Sequence, residues 1–195
     1  MGQQQGLVFG LIRLCLGLCL CLACNKKTDT TNRKLNNENE IKAAEIYQKA
    51  DSLIQIDKLP EALMLLDKVV QLDTNKALYY LDRGAVKIRL FLYTESLPDL
   101  NKALQKEPNN VKVLINIAIA ENNLALEKNQ PEHLDTAINY ADRALQLNPN
   151  FGFAYFVRGE SYLFKNDTSR LCDNLAQALK NNFKEAMPRF LKYCK

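Results

Sequence analysis

The sequence predicts an all-α protein made of about four repeated helix pairs, with one further helix closing the C-terminal end. Three observations carry this expectation. The body repeats itself at a period near 34 residues, marked by Asp73-Thr74-Asn75, Glu107-Pro108-Asn109-Asn110 and Asn148-Pro149-Asn150. Between the markers, the matching positions recur at helical spacing. Small residues also recur at fixed offsets, where two antiparallel helices would have to approach closely. Thr74 and Pro108 lie 34 residues apart and Pro108 and Pro149 lie 41 apart, so the third unit carries seven extra residues.

The chain begins with a different kind of segment. Residues 7–23 are apolar except for Arg13, which leaves an uninterrupted run from Leu14 to Ala23. A helix of that length spans about 15 Å, roughly half the hydrocarbon core of a bilayer. The length suits the apolar part of a signal peptide. Cys21-Leu22-Ala23-Cys24 follows, then polar Asn25-Lys26-Lys27. This resembles the lipobox of bacterial lipoproteins, in which a small residue precedes the cysteine that is lipidated and becomes the new N-terminus. Ala23 and Cys24 match that pattern; Cys21 stands where leucine is usual, and no Lys or Arg precedes Arg13.

The resemblance implies a signal peptide over residues 1–23 and lipidation at Cys24. Asn25, rather than aspartate, after that cysteine favours the outer membrane by analogy. The competing reading keeps residues 6–24 as an uncleaved membrane anchor. It would place Arg13 near mid-membrane, at a cost of a few kcal/mol. Myristoylation at Gly2 fits less well, because Gly6 stands where that motif wants serine or threonine. Residues 24–37 are almost without apolar side chains and are expected to form a polar tether.

The repeat itself occupies residues 38–183, in units of about 43–76, 77–110, 111–151 and 152–183. The second unit supplies Tyr80, Gly84, Ser96, Leu100, Ala103 and Pro108; the fourth supplies Tyr155, Gly159, Tyr162, Leu175 and Ala178. The first contributes Ile46, Ala50, Leu53, Ala62, Leu66, Val69 and Thr74, and the third Leu114, Ala118, Ala137, Ala141, Ala144 and Pro149. These residues at this spacing resemble the tetratricopeptide repeat (TPR). The resemblance implies a right-handed α-solenoid in which glycine on the first helix lets the second come close.

Several positions depart from the pattern. Thr74 and Phe183 replace a terminal proline, and Lys49, Arg83 and Arg158 occupy an often apolar position. Lys87 and Glu121 replace an expected aromatic, and Leu171 a small residue. Pro60 and Pro98 fall near the expected starts of second helices, where a missing N–H is tolerated. Residues 184–195, with Pro188 early in them, are expected to form a helix covering the last apolar face.

Cys172 lies ten residues before Asn182 and Cys194 twelve after it. In an antiparallel helix pair those offsets bring the side chains to similar heights, so a disulfide is plausible in an exported protein. The alternative is two thiols acting as small apolar fillers. The excess in unit three falls around Glu127–His133 and reads as a neutral extension, with a protruding partner-binding loop as the alternative. His133, the sole histidine, is expected to be exposed to solvent.

A formal charge of +4 is spread along the chain with both signs interleaved, so no basic face for nucleic acid is visible. With one histidine, no Gly-rich phosphate loop and no metal-ligand spacing, catalysis, cofactors and metals are not expected. TPR arrays bind peptides on the concave face made by first helices. By repeat position that face carries Tyr47, Asp51 and Ile54; Leu81, Ala85 and Ile88; Ile115, Ile119 and Asn122; and Phe156, Glu160 and Leu163.

Any one of these residues is equally well read as packing between repeats. The clamp that chaperone-binding TPRs use for terminal carboxylates is not reproduced, since Tyr47 and Asp51 replace its first lysine and asparagine. The expectation is a non-catalytic, membrane-tethered scaffold that binds a protein or peptide in the periplasm or at the outer membrane. Phe91-Leu92-Tyr93 occupies a turn usually filled by glycine, asparagine or aspartate and reads as an exposed apolar contact, with packing by Tyr93 as the alternative.

Overall fold

Five helix ends share one backbone solution. Asp57, Phe91, Asn129, Asn166 and Asn182 have φ between 53° and 65°, the left-handed region in which a helix terminates and reverses. The residue after each donates its N–H five residues back: Lys58 to Leu53 O (2.9 Å), Leu92 to Lys87 O (2.9 Å), Gln130 to Ala125 O (3.0 Å), Asp167 to Tyr162 O (2.9 Å) and Phe183 to Ala178 O (2.9 Å). Four of the five left-handed residues are Asp or Asn, whose short polar side chains tolerate the conformation. Phe91 is the exception.

The computed structural model describes residues 35–194. The expected signal peptide (1–23), Cys24 and the tether up to residue 34 lie outside the described residues. Residues 35–37, expected in the tether, are already helical. Among the described residues all regular structure is helical. α1 covers 35–55 and pairs with α2 (Leu59–Leu72). α3 (Ala77–Arg89) pairs with α4 (Tyr93–Lys106), and α5 (Val111–Glu127) with α6 (Glu132–Leu147). α7 (Gly152–Phe164) pairs with α8 (Thr168–Lys180). A 3₁₀ turn (Lys184–Ala186) leads into α9 (Met187–Tyr193), which lies against α8.

The seven-residue excess of the third unit is divided among its parts. α5 has 17 residues against 13 in α3, the connection to α6 is one residue longer, and α6 has 16 residues against 14 in α4. The insertion thus lengthens the helix pair, and no long loop protrudes. The inter-unit turns are held by the polar markers themselves. Asp73 Oδ1 accepts the Asn75 N–H (2.8 Å), Asn110 Oδ1 accepts those of Lys112 and Val113 (3.0 and 3.3 Å), and Asn148 Oδ1 accepts that of Asn150 (3.2 Å). The Asn110 bonds satisfy backbone donors that the start of α5 leaves open, and the Asp73 and Asn148 bonds close the turns that precede α3 and α7.

The core is a line of clusters rather than one centre, as expected where each pair buries surface against its neighbours. One cluster gathers Val69, Tyr79, Leu100, Val113 and Ile117; the next gathers Leu114, Ala118, Ala141 and Val157. Half-buried side chains bridge them: Tyr47 joins the first pair to the second, Leu104 and Tyr140 the second to the third, and Tyr155 the third to the cap. Gly84 is needed here, because a Cβ at that position would sit 2.8 Å from Leu100 Cδ2.

Several departures from the repeat pattern find their reasons in this packing. Phe183 packs at a tilt, with ring centroids 5.2 Å apart, against both Phe153 and Phe156, tying the turn after α8 to α7. Lys87 Nζ reaches Asp99 Oδ2 at 2.6 Å and donates to Glu95 O at 3.1 Å. Leu171 is fully buried in the cap cluster, beside Gly159 of α7.

Two expectations are corrected. His133 is not solvent-exposed. Its ring is about three-quarters covered and Nδ1 lies 2.5 Å from Glu121 Oε2, because the first turn of α6, which carries His133, packs against Glu121 of α5. Pro98 is not near the start of a helix. It is the sixth residue of α4, since Leu92 ends the preceding turn early enough for Tyr93 to begin the helix, and it removes one interior N–H.

Candidate functional site

First helices supply nearly all of a surface that runs along one side of the molecule. α3 touches α5 and α5 touches α7, so their exposed faces adjoin. Two clefts lie in that surface. One, of about 280 Å³, is lined by Leu81, Asp82 and Ala85 of α3, Lys112, Ile115 and Asn116 of α5, and Phe151 and Phe153. The second, of about 340 Å³, is lined by Ile119, Asn122 and Asn123 of α5, Phe153, Phe156, Val157, Glu160 and Phe164 of α7, and Arg189 of α9. Phe153 lines both, so the two clefts adjoin at its ring and make up a groove in two parts.

Seven of the twelve residues assigned to this face from the sequence line the groove: Leu81, Ala85, Ile115, Ile119, Asn122, Phe156 and Glu160. Leu81 and Ile115 are nonetheless almost fully buried, so they form its floor. Tyr47 and Asp51 adjoin it. The Tyr47 hydroxyl donates to Asp82 Oδ2, and the ring packs 4.9 Å from Tyr79. Ile54, Ile88 and Leu163 line neither cleft; they pack half-buried in the clusters between units. For those three positions, packing is what the structure shows.

The electrostatics of the groove are set by burial. Asp82 is held above the usual carboxylate range by desolvation and by the neighbouring Asp51 charge, against the pull of the Tyr47 hydrogen bond and Lys112. Desolvation by burial, then the bond to Asp82, pushes the Tyr47 phenol above its ordinary value. Burial raises Glu160 as well, although Arg189 opposes the shift. Glu160 Oε2 forms an ion pair with Arg189 Nη2 at 2.8 Å, while Oε1 is buried with no partner. Asn122 braces the wall: Nδ2 donates to Val157 O (3.2 Å), and Oδ1 accepts from Ser161 Oγ (2.7 Å).

Reasoning from repeat positions missed Asp82, Lys112, Asn116, Phe153, Phe164 and Arg189. Phe153 had a visible signal, since Phe151, Phe153 and Phe156 crowd the start of α7 beyond what the repeat requires. Arg189 had none, because its place depends on how α9 folds back. The structure joins Cys172 of α8 to Cys194, just past α9, with Cα atoms 5.5 Å apart. The helix that carries Arg189 is therefore anchored beyond its last turn.

The chain matches no protein-family model and no curated protein sequence. Solved structures do resemble it. TTC0263, a thermophilic TPR protein of Thermus thermophilus, aligns with a TM-score of 0.71 at 15% identity, over 77% of this chain and 80% of that one. MamA from Desulfovibrio magneticus RS-1, solved from residue 41 to its end, gives 0.64 at 19% identity over 76% and 78%. The TPR domain of Arabidopsis OM64 gives 0.56 at 20% identity, over 63% of this chain and 96% of that domain. At these identities the likeness is one of fold: the chain is an α-solenoid of the kind built by tetratricopeptide repeats.

Proposed function

We propose that this chain is a non-catalytic scaffold, tethered to the bacterial envelope by a lipid on Cys24, that holds a segment of a partner protein in the groove along its first helices. The groove carries the reading: its two clefts adjoin at Phe153, and it is mostly apolar at its floor and open on a surface assembled from three units. Such a surface suits an amphipathic helix or an extended apolar segment. The lipobox-like Ala23-Cys24, with Asn25 after it, supports placement at the outer membrane facing the periplasm. In that oxidising compartment the Cys172–Cys194 pair would be a structural disulfide, stabilising the cap by about 3 kcal/mol on the chain-entropy model. The alternative, an adaptor anchored by an uncleaved helix over residues 6–24, shares the groove and differs only at the leader.

Intact mass of the membrane-extracted protein, beside a Cys24→Ala variant, separates the two. A mature chain starting at Cys24 with added acyl mass, lost in the variant, is expected. An uncleaved chain indifferent to the substitution would leave the anchored alternative. The groove is tested by a photocrosslinking amino acid placed at Phe153 and, as a control, at exposed Gln105 on α4. A discrete adduct at Phe153 alone is expected; equal labelling at both positions would sink the groove reading.

A further inference from the structure

Glu160 stands out among the buried carboxylates of this chain. Its side chain is 13% exposed and sits among Phe153, Phe156 and Phe164, with a single cation, Arg189, on one oxygen. The other oxygen is buried and has no donor. Asp99 shows how the same chain treats a carboxylate it needs for its own fold. At 5% exposure, Asp99 receives two cations, Arg83 on Oδ1 and Lys87 on Oδ2, and both oxygens are satisfied. Among the described residues the other orphaned oxygen, Asp73 Oδ2, belongs to a residue whose Oδ1 already shapes a turn. Leaving a buried acceptor unpaired costs more than its hydrogen bond would contribute, so the omission at Glu160 calls for a reason.

We propose that the second cation at Glu160 comes from the ligand: the groove takes a lysine or arginine side chain of the partner, its aliphatic stem on Phe153 and Phe156 and its head group on the free oxygen of Glu160. This rests on the concave-face reading above and names the chemistry that face selects. Long basic side chains suit such a site, because the stem buries well against apolar walls while the head group needs an acceptor. Aromatic faces add a favourable field for the cation. Oε1 is closed off in the unliganded chain, so the head group engages it as the carboxylate turns about its last bond. The same turn shifts Oε2 against Arg189, so the two cations then share the carboxylate, as Arg83 and Lys87 share Asp99. The Asp51–Asp82 pair at the other end of the groove adds negative charge, offset in part by Lys112. The preferred partner segment is therefore apolar with a basic residue next to its anchor.

Panning a random-peptide library against the full chain, and in parallel against Glu160→Gln, tests this. Selected sequences are expected to carry Lys or Arg beside an apolar residue well above the library's own frequency. That enrichment should vanish on Glu160→Gln while the variant keeps its helical circular dichroism. Replacing the cation of a selected peptide by norleucine, which keeps the stem, should weaken binding about tenfold. Groove-binding peptides selected without basic enrichment, or enrichment that survives Glu160→Gln, would overturn the inference and leave the groove reading intact. Binders indifferent to Phe156→Ala, or a library that yields none, would overturn both.

Discussion

Arg83 and Arg158 occupy the same place in the second and fourth units and make the same pair of ties. Arg83 reaches back to Asp67 of α2 at 2.9 Å and forward to Asp99 of α4, whose Oδ2 it meets at 2.9 Å. Arg158 reaches back to Asp142 of α6 and forward to Asn174 of α8, at 2.7 Å. Each partner lies 16 residues from its arginine, one before and one after. A guanidinium has a planar fork of donors, so one side chain can bind both second helices. Ile117 fills the corresponding place in the third unit and is fully buried.

The two arginines are nevertheless unequal. Arg83→Ala leaves nearly buried Asp99 with Lys87 alone and should cost about 2 kcal/mol. Arg158→Ala releases a neutral Asn174 and Asp142, whose side chain is 44% exposed, and should cost about 1 kcal/mol. Urea midpoints at unchanged slope would check this. Equal losses would show that the charge on Asp99 does not matter.

Three glycines offer a graded test of helix approach. A Cβ on Gly152 would meet the Asn181 carbonyl oxygen at 2.8 Å and that of Ala178 at 3.0 Å, neither of which can rotate away. On Gly84 it would meet the Leu100 side chain at 2.8 Å, and on Gly159 its nearest neighbour would be Asn174 Cβ at 3.3 Å. Gly152→Ala should therefore destabilise most, by about 2–3 kcal/mol, and Gly84→Ala somewhat less. Gly159→Ala should be nearly neutral, because helix propensity offsets the tighter contact. Thermal unfolding of the three variants should preserve that order.

Phe91 combines a left-handed backbone with 74% exposure, its aromatic contact being an edge-to-face one with Tyr93. The equivalent turns use Asp57, Asn129 and Asn166. Phe91→Asn should therefore raise stability by about 0.5–1 kcal/mol through relief of backbone strain. A lower melting temperature in the variant would show that the ring contributes more than its exposure suggests.

Glu160 predicts a dependence on pH. Its carboxyl is raised in the folded chain by burial, so the folded state holds its proton more tightly than the unfolded state does. Stability from this group is then full below the ordinary carboxylate range and falls as pH rises through the folded-state value. Glu160→Gln should be more stable than the natural chain at neutral pH, with the gap closing toward about pH 4, the ordinary value for a glutamate. Melting curves across that range would decide it; a gap that widens on acidification would reverse the sign of the argument.

Much of the scaffold was legible in the sequence because the repeat states it four times. The markers at Asp73, Asn110 and Asn148 turned out to be the side chains that hold the inter-unit turns, and Leu66, Leu100, Leu114 and Leu175 are buried where the pattern put them. These are local or periodic properties, carried by spacing along one chain. The groove was legible only in part, since Leu81 and Phe156 follow from repeat position, whereas Ile54, Ile88 and Leu163 follow it and yet pack between units.

By itself, then, the sequence determined the helix pairs and their register, because hydrophobic period, turn chemistry and small-residue spacing act over short distances. Tertiary structure alone decided that the extension of the third unit lengthens α5 and α6 and that His133 packs against Glu121. It also decided that Phe153 joins two clefts, and that α9 returns to set Arg189 against one oxygen of Glu160 and leave the other bare. Those outcomes depend on side chains far apart in the chain competing for the same volume and the same counter-ions, a competition that no linear spacing records.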